Sequence, residues 1–139
     1  MSQDYECPFC EIVGGEAAAS VVAETDETLA FVDLNPATEG HTLVIPKEHA
    51  AGLEGLDPAV GGRLFEEGMA IAAAAREALD PDGINFFLAD GVAAGQEVFH
   101  VHLHVVPRYE GDDVQFVAEQ SRADREELDA VADRLRGAR

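Results

Sequence analysis

His100-Val101-His102-Leu103-His104-Val105-Val106 places three of the chain's five histidines at alternate positions. Alternation is the period of an extended strand, in which successive side chains point to opposite faces. Val101, Leu103 and Val105 can therefore enter an apolar core while three imidazoles share the other face. Neighbouring rings on that face lie roughly 6–7 Å apart, too far for all three to clasp one metal ion, so the three must divide roles. A merely solvated strand face would be served equally well by Thr, Lys or Glu. Three histidines there point to chemistry: a neutral imidazole is nucleophilic near neutral pH and leaves readily once attached to phosphorus. The central ring, His102, is best placed as nucleophile. His104 can hold either its tautomer or a phosphate.

The flanking sequence predicts an α+β fold: a five-stranded antiparallel sheet, one long helix, and short N- and C-terminal helices. A first helix is expected over 7–14, stopped by Gly14-Gly15. Strands follow at Val21–Ala23, Thr28–Leu34 (closed by the turn signal Asn35-Pro36), His41–Ile45 (stopped by Pro46), Ile84–Leu88 and Phe99–Val106. Asp57-Pro58 is a cap followed by proline at the first helical position, and Val60, Leu64, Gly68, Ile71, Ala75 and Leu79 mark one face of the long helix. Leu128, Val131 and Leu135 recur at helical spacing in the tail. Residues 1–139 read as one domain, with a core over 7–108 and a helical extension over 109–139.

The loop Ala94-Gly95-Gln96-Glu97 just before the histidines is a natural source of anion-binding donors. Gly95 lets backbone approach a ligand, and Gln96 can donate from its side chain. Cys7-x-x-Cys10 has the spacing of a zinc knuckle. A redox pair and two idle thiols are the competing readings.

Acidic residues outnumber basic ones 28 to 9, giving a net charge of −19, and Lys47 is the only lysine. Such a surface repels nucleic-acid backbones and acidic membranes. It suits a salt-rich cytosol of the halophilic kind, where screening shortens self-repulsion. The chain lacks a signal-like N-terminus and a long apolar run, so a cytoplasmic protein is expected.

At the triad, with Gly95-Gln96 upstream and Pro107-Arg108 downstream, the chain resembles the histidine triad family. The block Gly40-His41-Thr42-Leu43-Val44-Ile45-Pro46-Lys47-Glu48-His49, the stretch Phe31-Val32-Asp33 and the Cys7-Pro8-Phe9-Cys10 opening extend the likeness over most of the chain. The resemblance implies His102 as nucleophile, with His104, His41 and Gln96 at the phosphates. It implies Asp33 at the ribose, and Phe31 and Leu34 as walls of a base pocket to which Ile12 adds a third. From the residues alone, Phe31 and Leu34 fit ordinary core packing. Gly95 and Glu97 belong to the same implied nucleotide-binding set. By the same likeness, shared with galactose-1-phosphate uridylyltransferases, Cys7, Cys10, His49 and His100 would hold one structural zinc ion per chain. A homodimer pairing the long helix and the Ile84–Leu88 strand is likewise implied. Two positions depart from the family pattern: Ala89 replaces an amide side chain, and Glu97 stands where many members carry Ser or Thr.

The function expected is hydrolysis or transfer at the α-phosphate of a purine nucleotide, either a dinucleoside polyphosphate or a nucleoside phosphoramidate, through a nucleotidyl-histidine. The alternative is a non-catalytic nucleotide-binding or zinc-stabilised interaction protein. Repair of adenylated DNA ends ranks last, for want of a basic patch.

Overall fold

Apolar β-formers build the sheet, and proline and glycine set its limits. The computed structural model describes residues 6–139. Residues 1–5, which the single-domain reading included, lie outside the described residues. Helix α1 spans Pro8–Val13; strands β1 Val21–Glu24, β2 Thr28–Val32 and β3 Thr42–Pro46 follow; then come helix α2 Pro58–Leu79, β4 Gly83–Phe87, β5 Leu103–Arg108 and helix α3 Arg125–Ala138. The five strands form one sheet in the order β1-β2-β3-β5-β4, with every neighbouring pair antiparallel.

Both faces of the central strands are covered, so β2 and β3 are buried almost throughout. On one face Ala30, Val44, Val101, Leu103 and Val105 pack with Leu64, Ile71 and Ala72 of α2. On the other, Leu29, Phe31, Leu43 and Ile45 pack with Cys7 and Phe9 at α1. Asp57 caps α2 by accepting the Ala59 N–H at 2.9 Å. The helix buries Leu64, Gly68, Ile71, Ala72 and Ala75, much the face its spacing marks out. Gly68 allows close approach there: a Cβ would meet the Leu103 and Phe86 side chains at 3.0 Å, a tight contact. Arg108 then ties the chain beyond β5 to the sheet, donating to Asn85 (2.8 Å), Asp112 (2.7 Å) and the Val114 carbonyl (2.7 Å).

The last strand differs from the sequence reading. It begins at Leu103 rather than Phe99, so His100 and His102 precede it and only His104 sits within it. The pairing of β5 with β3 stops at Val44↔Leu103. Two residues beyond Val44, Pro46 has no N–H to offer a ladder, and its carbonyl is taken by the His100 ring at 2.7 Å. Val101 instead donates its N–H to Ala50 at 2.8 Å. The inward and outward alternation nevertheless holds, since Val101, Leu103 and Val105 all lie in the α2-facing core. Helix α3 carries the apolar stripe its spacing implies, yet Leu128, Val131 and Leu135 remain exposed. Among the described residues no helix is long and apolar enough to cross a membrane.

Leu64 is 2% exposed at the helix–sheet contact. Leu64→Ala is expected to lower unfolding free energy by about 2–4 kcal/mol, as for other large-to-small core changes, measured by urea denaturation. A loss under about 1 kcal/mol would mean that the contact is not the centre of the core.

Candidate active site

A cavity of about 890 Å³ opens on the sheet face opposite α2. Ile12, Phe31, Asp33, Leu34, Gly95, Glu97, His102 and His104 all line it. Helix α1 supplies Ile12, the end of β2 and its turn supply Phe31 to Leu34, and the loop before β5 supplies Gly95 and Glu97. Phe31 is buried at the base, whereas Leu34 is 91% exposed and stands at the rim.

Hydrogen-bond partners settle which nitrogen of each ring carries a proton. His102 is 7% exposed, and its Nδ1 lies 2.7 Å from the His100 carbonyl oxygen. A carbonyl only accepts, so Nδ1 holds the proton and donates it. Nε2 is left as a bare lone pair. His41 is fixed the opposite way: the Ala37 N–H donates to its Nδ1 at 2.9 Å, so Nε2 carries the proton. That proton is donated to His104 Nδ1 at 2.9 Å, which in turn makes His104 Nε2 a donor on the cavity wall. Phe87 stacks on the His104 ring at 4.1 Å, with the planes 6° apart. The Asp33 carboxylate lies 3.5 Å from His41 Nε2. Asp33, His41 and His104 are close enough to share an ion. The Ala37 amide, however, occupies the lone pair of His41 that would have to become protonated for Nε2 to ligate. This group is therefore a hydrogen-bonded relay.

Burial favours the neutral forms of His41 and His104. It pushes His104 down to about 3, reinforced by the nearby His102 and His41. It lowers His41 as well, against the opposing pull of Asp33, and His102 adds to the lowering.

Two residues of the implied set are placed differently. Gln96 is 5% exposed and turned away from the cavity. Its carbonyl accepts from Gly91 N at 2.8 Å, and its amide donates to the Ala51 and Val98 carbonyls at 2.7 and 3.0 Å. With both amide protons engaged, Gln96 braces the loop and has none left for a phosphate. Gly95 N–H is bonded to the Val92 carbonyl, so this glycine supplies a left-handed turn rather than an anion donor. His41 does not line the cavity but reaches it through His104. Sequence reasoning passes over Phe9, whose ring meets His102 edge-on at 5.1 Å. The available signal was its position between the two cysteines. It also passes over Phe87, marked only by ending a strand.

On the buried side of the triad a second cluster forms. Cys7 Sγ and His100 Nδ1 lie 3.3 Å apart, Cys10 Sγ and His49 Nδ1 3.3 Å, and the two imidazole Nδ1 atoms 3.2 Å. Donors bonded at about 2.0–2.3 Å around a tetrahedral zinc ion sit roughly 3.3–3.8 Å from one another. The spacing and the soft donor set fit such an ion. His100 Nε2 donates to the Pro46 carbonyl at 2.7 Å, which aims its Nδ1 lone pair at the cluster, an orienting contact common behind ligating histidines. Burial, aided by the neighbouring Cys7, pushes the Cys10 thiol up to about 11.

Fold and site together define a small α+β protein built around a relay of neutral imidazoles. The HIT domain family profile matches residues 14–111, and the chain belongs to that family. An uncharacterized HIT-like protein of Borreliella burgdorferi is 44% identical over 114 residues, covering 81% of this chain and 82% of its own. The adenylylsulfatase HINT3 of Arabidopsis thaliana is 38% identical over 107 residues, covering 77% of this chain and 54% of its own. The crystal structure of a HIT family protein from Bacillus anthracis superposes with a TM-score of 0.92 at 35% identity, covering 99% of each chain. A zinc-bound histidine triad family protein from Mycobacterium smegmatis superposes at 0.76 with 44% identity, covering 96% of this chain and 97% of that one.

In the fold His104 takes up a proton only near pH 3, against about 6.5 for an ordinary histidine, so the unfolded chain binds more protons between those values. Stability from this group is complete above about pH 6.5 and is lost progressively as pH falls toward 3. His104→Asn should flatten the acid side of a stability–pH curve measured by urea unfolding. An unchanged slope would contradict the buried neutral ring.

Proposed function

We propose that the protein is a hydrolase or transferase acting at the α-phosphate of a purine nucleotide, with His102 as nucleophile. One observation carries this reading: His102 Nδ1 is held by the His100 carbonyl, so the nitrogen left available on a cavity-lining ring is the unprotonated Nε2. In the first step the Nε2 lone pair attacks phosphorus, and the bond from phosphorus to the leaving group breaks. The electron pair departs on the leaving atom, which takes up a proton. Glu97, which lines the cavity and is exposed to solvent, is assigned as the donor of that proton. The positive charge gained by the ring is stabilised where Nδ1–H meets the carbonyl. In the second step a water oxygen bonds to phosphorus and gives its proton to the Glu97 carboxylate left by the first step, and the phosphorus–nitrogen pair returns to Nε2.

The remaining residues supply binding. His104 Nε2–H donates to a phosphate oxygen, its orientation set by His41 behind it. Asp33 accepts from the ribose hydroxyls, while Ile12, Phe31 and Leu34 enclose the base. The adenylylsulfatase name carried by HINT3 supports an adenylyl group among the candidates. The Cys7, Cys10, His49 and His100 set would hold one zinc ion, whose filled coordination supplies structure rather than a reactive position. A homodimer across α2 and β4 belongs to the same reading. It is supported by Phe65 and Met69, exposed on α2, and by the position of β4 at the sheet edge.

Adenosine phosphoramidate and a dinucleoside polyphosphate are the substrates to assay. At least one should turn over, and His102→Asn should lower its kcat/KM by about 10⁴-fold or more, as loss of a covalent nucleophile does. Nucleotide binding without turnover would favour the binding-only alternative. Independently, metal analysis of protein purified under reducing, chelator-free conditions should give one zinc per chain, and Cys7→Ala should abolish it. Absence of zinc from the unsubstituted chain would contradict the cluster's role.

A further inference from the structure

His100 faces two ways. Its ring stands in the Cys/His cluster, 3.3 Å from Cys7 Sγ and 3.2 Å from His49 Nδ1. Its backbone carbonyl accepts the His102 Nδ1–H at 2.7 Å. One residue therefore belongs both to the cluster and to the bond that fixes the tautomer of the cavity ring. A second link runs through Phe9, between the two cysteines. The turn that carries it is closed by Cys10 N–H on Cys7 Sγ at 3.3 Å and by Glu11 N–H on the Cys7 carbonyl at 3.2 Å. Phe9 is 8% exposed and meets three rings edge-on: His102 at 5.1 Å, Phe31 at 5.5 Å and His100 at 5.8 Å. Its ring closes one side of the space in which His102 could rotate. A displacement of the cysteine turn moves Phe9, and a displacement of the His100 ring moves the carbonyl. Both reach the same imidazole.

We propose that the Cys7/Cys10/His49/His100 cluster positions the nucleophile, holding His102 as the single tautomer with bare Nε2 through the His100 carbonyl and the Phe9 ring. Phe9 and His100 are positioning residues in this role, since they act on phosphorus only through His102. The inference rests on the reading of His102 as nucleophile and of the cluster as a zinc site. It goes beyond a purely structural staple in one respect: emptying the cluster changes the proton placement on His102, not only the stability of the chain.

The test uses the full chain with ¹⁵N-labelled histidine and long-range proton–nitrogen correlation spectra, recorded without nucleotide, with His102→Asn assigning the signal. Zinc-loaded protein is expected to show His102 protonated at Nδ1 alone. Removal of zinc by a chelator should convert this signal to a mixture of Nδ1–H and Nε2–H forms. Phe9→Ala, shown to keep one zinc per chain, should give the same mixture and lower kcat on adenosine phosphoramidate by about 10- to 100-fold, the range expected for a misplaced reacting group. Phe9→Tyr should restore most of both. If the zinc-free chain unfolds, Phe9→Ala decides alone. The proposal is overturned if His102 keeps its single tautomer in folded zinc-free protein or in Phe9→Ala, if Phe9→Ala changes KM without kcat, or if the chain binds no zinc. Failure of the nucleophile reading looks different: zinc-loaded, unsubstituted protein would show the single tautomer yet turn over no nucleotide.

Discussion

The 2.7 Å hydrogen bond from His102 Nδ1 to the carbonyl of His100 organises the rest of the site. It converts a ring able to carry its proton on either nitrogen into one with a committed donor and a committed lone pair. Everything nearby reinforces that division. The Ala37 amide fixes His41, His41 fixes His104, and His104 is left with a proton to offer the cavity. On the other side, the Pro46 carbonyl fixes His100 and turns its free lone pair toward the thiols. No buried side-chain nitrogen or oxygen among the described residues lacks a partner. Such saturation is what low dielectric demands, because each unmet polar group there would cost about 1–3 kcal/mol.

Burial does double duty. The same desolvation that excludes water from the relay suppresses protonation of His41 and His104, so neutral lone pairs persist through the physiological range. The α2-facing core makes that burial possible. Val101, Leu103 and Val105 seat the histidine segment against Leu64, Ile71 and Ala72, and Gly68 lets the helix approach. The outer surface works in the opposite sense. A net charge of −19 disfavours an anionic ligand at long range, an effect that salt screens within about 10 Å at 0.1 M. Under the proposed function, short-range donors such as His104 Nε2–H provide the attraction.

Much of this was legible in the sequence, and the boundary of legibility is physical. Alternation of Val101, Leu103 and Val105 with histidine correctly assigned the faces, because it depends only on local backbone period. The Asp57-Pro58 start of α2 and its buried positions Leu64, Gly68, Ile71 and Ala75 were legible for the same reason. The extent of the last strand was not, because it is decided by the missing N–H of Pro46 on a neighbouring strand. Residues of the cavity wall such as Ile12, Phe31 and Asp33 fell into place through family resemblance. Gln96 shows the limit of that route: its motif position is kept, but its amide is engaged by Gly91, Ala51 and Val98, contacts spanning up to 45 positions. Phe9 and Phe87 escaped notice because edge-on and stacked ring contacts leave no periodic trace.

The central claim concerns one atom, His102 Nε2. Rapid-quench trapping of protein labelled with ¹⁵N-histidine on an adenosine nucleotide, followed by ³¹P–¹⁵N coupling measurements, locates any phosphorus–nitrogen bond directly. The account predicts a single bond at Nε2 of His102, with the proton still on Nδ1. A bond at Nδ1, or on any other residue, would contradict it.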